Sequence, residues 1–298
     1  MCEPRIDYYT ELIQTIIYLA DVKDKIKQNV CNRTYCDAIE LFFTNFRNHA
    51  AVSSTREMIQ NKYFRYSRPH RAAARFNQLL EEKTDLTEWA KRIKEFEEAS
   101  DFAGFFKRMR AYYDGILKEV TVCPVNDWKK YIDDYFGAYL DLNVIVCLLD
   151  GNYGFVEDGK AFIVCCVPYY TENGPTIFTE SSFAKGIAHE YAHCFVNPIV
   201  EKHQKKLKDH ADFFHRHKDM FSCYNVDYAV VNEYFARAFA IRFMEKMSFE
   251  GFDLKAEYER QRKTFPYIDR FTKSLERYER STDSFEDNYL SELPGLLR

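Results

Sequence analysis

The spacing His189-Glu190-Tyr191-Ala192-His193 constrains the fold more than any other stretch of this chain. Two histidines four residues apart come together only on one face of an α-helix, where one turn separates them. From such a face both imidazoles reach one Zn²⁺ at about 2.0–2.1 Å, and the glutamate at the next position reaches a water beside it. The residue types suit that chemistry. Neutral imidazoles leave the metal a strong Lewis acid, and the carboxylate takes the proton released as water attacks a carbonyl carbon. With 8 histidines in 298 residues, chance supplies about 0.02 such motifs in a chain of this composition. The spacing therefore predicts one zinc ion per chain, with His189 and His193 as ligands and Glu190 as general base.

The flanking sequence supplies a helix for the motif and a sheet beside it. Residues 8 to 115 read as successive amphipathic helices, with a break at Ser67-Arg68-Pro69 and helix starts at Asp85 and at Ser100-Asp101. From Ala138 to Val167 the pattern changes to three short runs rich in Val, Ile, Phe, Tyr and Cys, which predict strands. Glu157-Asp158-Gly159-Lys160 predicts a tight hairpin turn between the last two. After a loop through Thr171–Pro175, Ser181 or Ser182 is expected to cap the motif helix, and Asn197-Pro198 to end or kink it. A long buried helix is expected from about Asp227 to Met247.

A catalytic zinc site needs a third protein ligand and an open fourth position. Downstream candidates are Glu201, His203, His210, Asp212, His215, His217 and Glu233. Glu233 is the strongest, since a carboxylate within Val230-Val231-Asn232-Glu233-Tyr234-Phe235-Ala236 is costly unless paired or bound to metal. A salt bridge to Arg237, four residues on, is the competing reading.

With Glu233 added, HExxH followed by a glutamate on a second helix resembles the gluzincin group of zinc metallopeptidases. His189–Pro198, Asn232-Glu233 and Asn152-Tyr153-Gly154 together also resemble a bacterial family of uncharacterised gluzincin-like domains. The resemblance covers residues from about 140 to 240. It implies His189, His193 and Glu233 as zinc ligands, Glu190 as base and proton shuttle, and a substrate-pairing edge strand at Asn152, Tyr153, Gly154 and Phe155. It also implies a Tyr or His that stabilises the oxyanion, for which Tyr224, Tyr228 and Tyr289 are candidates. The chain departs from thermolysin-like members in two ways: Arg237 stands where they place an aspartate, and His193 and Glu233 lie further apart.

Composition narrows the partners. With 42 basic and 46 acidic residues and a net charge of -4, the chain offers no electrostatic footprint for nucleic acid, and no segment approaches 18 uncharged apolar residues, so no membrane span is expected. The start, Met-Cys-Glu-Pro-Arg-Ile-Asp, lacks the features of a signal peptide. Nine scattered cysteines read as reduced core residues. The sequence as it stands reads as cytoplasmic; export or lipid anchoring through Cys2, after removal of a signal, is the alternative. The expected fold class is α+β, predominantly helical. It has a helical N-terminal region over 1–120 and a zincin-like region over 121–298 holding a small sheet, the motif helix and the ligand helix, compatible with one continuous domain. The expected activity is hydrolysis of a peptide or protein substrate. A non-catalytic zincin-shaped binding protein with a structural metal, and a metal-free helical interaction protein, are the alternatives.

Overall fold

A computed structural model describes residues 2–20, 32–64, 67–167, 170–171, 174–175, 178–216 and 227–298. The fold is α+β and predominantly helical, with a small three-stranded mixed sheet. The chain divides into two compact units. One comprises Met1–Cys123, Asn143–Tyr153 and Phe162–Thr179, the other Pro124–Leu142, Gly154–Ala161 and Glu180–Arg298.

In the first unit α1 (Tyr8–Leu19) begins where the Asp7 side chain accepts the Thr10 N–H at 2.9 Å. The helices α2 (Arg33–Phe43), α3 (Ala50–Gln60), α4 (Arg68–Ala74), α5 (Phe76–Glu81), α6 (Asp85–Ala99), α7 (Phe102–Arg108) and α8 (Arg110–Val120) follow. Pro69 lies in the first turn of α4, where its missing N–H costs nothing. Thr84 and Thr87 cap α6 reciprocally, and Asp101 caps α7 by accepting from the Gly104 N–H at 3.2 Å. α1 packs on α3 and α4, and α6 on α3 and α5. The core is aromatic: Phe43 meets Phe96, Phe102 and Phe105 at ring distances of 5.9, 5.9 and 4.8 Å.

Strands β1 (Asp141–Cys147), β2 (Tyr153–Glu157) and β3 (Lys160–Cys166) pair in the order β1-β3-β2, leaving β2 at an edge. β1 and β3 are buried almost throughout, which explains their continuous apolar runs. Asp158 at φ 49° and Gly159 at φ 73° form the hairpin turn between β2 and β3, both in the left-handed region that such a turn requires. Arg5 adds a bridge beside Ile145. The expected loop through Thr171–Pro175 instead contains a short ladder of β4 (Tyr170–Thr171) and β5 (Gly174–Pro175); two residues per strand fall below what alternation can reveal.

The second unit holds α9 (Val125–Phe136), α10 (Glu180–Lys202), α11 (Ala211–Arg216), α12 (Asp227–Met247), α13 (Leu254–Thr264), α14 (Ile268–Tyr278) and α15 (Phe285–Leu296). Helices α10 and α12 make the most extensive contact, with α9 on α10 and both α13 and α14 on α12. Two expectations for α10 need correction. It starts at Glu180, so Ser181 and Ser182 lie in its first turn rather than at its cap. It also runs through Pro198 to Lys202 with Val200 fully buried, so burial of the last turn outweighs the lost hydrogen bond. Ring stacking binds the unit: Phe136 on Phe195 at 4.8 Å, and Tyr234 on Phe271 at 4.4 Å.

Cys123, Cys147, Cys165, Cys166 and Cys194 are buried, as expected of core cysteines. Cys36 departs from that reading because it is disulfide-bonded. Cys31, Cys223, His217 and Tyr224 lie outside the described residues. No helix among the described residues is long and apolar enough to cross a membrane.

Candidate metal centre

The buried face of helix α10 is mostly apolar, and Glu190 and His193 are polar exceptions on it, with His189 half-buried beside them. Their potential ligand atoms lie within 4.8 Å of one another. Glu233 arrives from α12, the helix packed most closely against α10. His189 Nε2 and His193 Nε2 are 3.3 Å apart, and Glu233 carboxylate oxygens lie 3.7 Å from the first and 3.5 Å from the second.

These spacings provide a test for zinc. Ligand bonds near 2.0–2.1 Å at tetrahedral angles place donor atoms about 3.3–3.4 Å apart. The nitrogen pair matches that spacing, Glu233 Oε2 and Oε1 stand slightly further from His189 and His193 respectively, and two imidazoles with one carboxylate form a donor set that zinc accepts. The residues fit the ion.

The surroundings hold the donors in place. His193 Nδ1 lies 3.0 Å from Asn197 Oδ1, one further turn along α10. Donation from Nδ1–H to that oxygen fixes the ring and leaves Nε2 as the ligating nitrogen once the ring is neutral. Glu233 Oε2 accepts from Arg237 Nε at 3.0 Å, and the guanidinium lies over the Phe265 ring at 4.3 Å. Arg237 Nη1 donates to Gln261 Oε1 at 3.3 Å, and Gln261 Nε2 donates to Glu257 at 2.8 Å. The competing readings of Glu233 thus coexist: it faces both histidines and also pairs with Arg237.

Burial and charge set the protonation states. Burial lowers His189 to about 3, helped by the nearby charges of His193, Arg237 and Lys185. Burial opposes the charge on His193 too, but the hydrogen bond and charge of Glu233 win and raise it to about 9. Glu233 is driven well below the usual carboxylate range, its burial overcome by the two histidines and Arg237. Burial lifts Glu190 to about 7, against the opposing pull of His193 and Arg237.

Of the proposed substrate strand, Gly154 abuts the motif helix. A Cβ there would stand 1.8 Å from the Glu190 carbonyl oxygen, so only glycine permits this approach. The Asn152 side chain accepts from the Cys166 N–H at 2.9 Å. The Tyr153 ring lies 5.0 Å from His70, and its hydroxyl donates to Asp150 at 3.4 Å. Both side chains thus have partners within the first unit. Tyr228 sits half-buried in the first turn of α12, five residues before Glu233. Tyr289 is fully buried against Phe235, so its hydroxyl faces no open cleft. His203 pairs with Glu286 at 2.5 Å instead of joining the cluster.

Sequence reasoning missed Asn197, Lys185, Glu257 and Gln261. The first two were within reach, since each lies four residues from a motif histidine. No curated protein and no solved structure matches the chain. A family model described as a domain of unknown function, DUF4932, matches residues 69–294, both histidines, Glu190 and Glu233 included, and the chain belongs to that family.

Proposed function

We propose that this chain is a zinc-dependent metallopeptidase of gluzincin-like design. The observation that carries the reading is the meeting of two imidazole nitrogens, 3.3 Å apart, with the Glu233 carboxylate of a second helix, whose Oε2 lies 3.7 Å from His189 and Oε1 3.5 Å from His193, beside the buried Glu190. His189, His193 and Glu233 would hold the ion. When bound, zinc supplies a Lewis acid that polarises a carbonyl and makes water acidic near neutral pH.

Glu190 does the proton work. Its Oε1 lies 3.8 Å from His189 Nε2. A carboxyl held near pH 7 accepts a proton from the attacking water and returns it to the leaving amine. A purely structural metal site has no need of such a base. The edge strand β2, pressed on α10 at Gly154, offers backbone groups with which an extended peptide can pair.

Metal analysis of protein purified without added zinc tests the reading, with close to one zinc per chain expected and a large loss in His189→Ala. Glu190→Gln should keep the zinc and lose about 10²–10⁴-fold in peptide hydrolysis. A metal-free wild-type chain, or a fully active Glu190→Gln variant, would overturn it.

A further inference from the structure

We propose that one wall of the metal centre is a cationic subsite for the terminal α-carboxylate of a peptide, built from Lys185 and Arg237, so that the chain removes C-terminal residues. This deepens the peptidase reading and rests on it.

Lys185 stands one helical turn before His189 on α10, and Arg237 one turn after Glu233 on α12. Residues four apart share a helix face, so each cation flanks a proposed ligand. Both are tied to the same pair of residues on α13: Lys185 Nζ lies 3.2 Å from Glu257, and Arg237 Nη1 donates to Gln261, which donates to Glu257. The two cations therefore stand on one side of the centre.

The charges do not balance. Arg260 joins the group by pairing with Glu257 at 2.5 Å. With Glu233 committed to a metal, Glu257 is the one carboxylate among the described residues shown paired with Lys185 and Arg260, and Arg237 reaches it through Gln261. Lys185 and Arg237 keep 30% and 26% of their side chains exposed, whereas Glu257 keeps 7%. The accessible part of this wall is thus positive. Arg237 has committed Nε and Nη1, while Nη2 has no hydrogen bond to the described residues. A guanidinium edge with donors to spare suits a carboxylate.

Reach selects the terminal carboxylate over an acidic side chain. Arg237 hydrogen-bonds to Glu233 itself, so its guanidinium lies one contact from the centre. An extended peptide advances about 3.3–3.6 Å per residue, so an anion met there belongs to the residue adjoining the scissile bond. A terminal α-carboxylate lies on the backbone at that point, whereas an Asp or Glu side chain leaves it sideways.

The test uses the zinc-loaded full chain and N-acetylated peptides of one sequence ending in a free acid or an amide. Mass spectrometry should show loss of the last residue alone, with kcat/KM for the acid about tenfold or more above the amide, the worth of a charge-assisted hydrogen bond. Lys185→Gln should collapse that ratio toward one mainly through KM, and Lys185→Arg should restore it. Calorimetric binding of both peptides to zinc-loaded Glu190→Gln protein reads the subsite without turnover, and tenfold tighter binding of the acid is expected there. Equal cleavage of acid and amide, or cleavage at internal bonds, overturns the proposal, as does equal or absent binding of both. Preferred binding of the acid with no cleavage by the wild-type chain would uphold the subsite and overturn the peptidase reading instead.

Discussion

Asn197 touches no metal, yet its carbonyl oxygen decides which nitrogen His193 presents. Asn197→Ala should weaken zinc binding about 10–100-fold, measured by competition with a chelating dye, because the ring loses its anchor. A second outcome follows from His193. Without metal it holds its proton up to about pH 9 through Glu233, but a ligand must be neutral, so zinc binding at pH 7 should release about one proton from this ring. Zinc affinity should then rise with pH and level off near 9. Calorimetry in buffers of different ionisation enthalpy counts the proton, and a zero count would show that His193 is already neutral. At this scale the motif was legible because it is local: His189, Glu190 and His193 need only helical periodicity to meet. The same repeat reached Lys185 and Asn197 unnoticed, because neither residue type announces a ligand. Gln261 and Glu257 carry no local signal, since α13 meets Arg237 and Lys185 only through tertiary packing.

Among the elements, α12 was legible at both ends because a largely apolar stretch runs from Asp227 to Met247 without a proline or glycine. The hairpin was legible because Asp-Gly at positive φ has few alternatives. The end of α10 was not, because Pro198 is a strong local signal that burial overrode. That disagreement between propensity and packing is measurable. An interior proline costs about 3 kcal/mol of helix stability, so Pro198→Ala should raise the unfolding free energy by about 1 kcal/mol or more after the gain in unfolded-chain entropy is subtracted, read as a higher urea midpoint. An unchanged midpoint would mean that the turn is already relaxed around the proline. Gly154→Ala should act oppositely. Its Cβ would meet the Glu190 carbonyl, forcing β2 or α10 to move at a cost of about 1–3 kcal/mol and displacing the base. Loss of hydrolysis with zinc retained is the expected signature.

For the molecule as a whole, acid–base behaviour should expose Glu11, fully buried on α1. Burial raises its carboxyl from 4.5 to about 7, with Tyr35 and the Leu148 backbone offsetting part of the effect. Below pH 4.5 both folded and unfolded chains carry the proton. Between 4.5 and 7 only the folded chain keeps it, so stability falls by about 3 kcal/mol as pH rises across that window. Glu190 and His189 also shift in this window, so the Glu11 contribution is read as a difference: between pH 5 and 7.5 the urea-derived stability of Glu11→Gln, relative to wild type, should rise by about 3 kcal/mol.

The path of the chain between its two units has a consequence for descent. Each unit is assembled from three separate segments, so the polypeptide passes from one to the other five times. No single cut, fusion or recombination event can lift either unit out intact. The family match from residue 69 to 294 likewise begins in one unit and ends in the other. A lineage that carries α10 and α12 must therefore carry the interleaved segments of the other unit with them, and the two are inherited as one cassette.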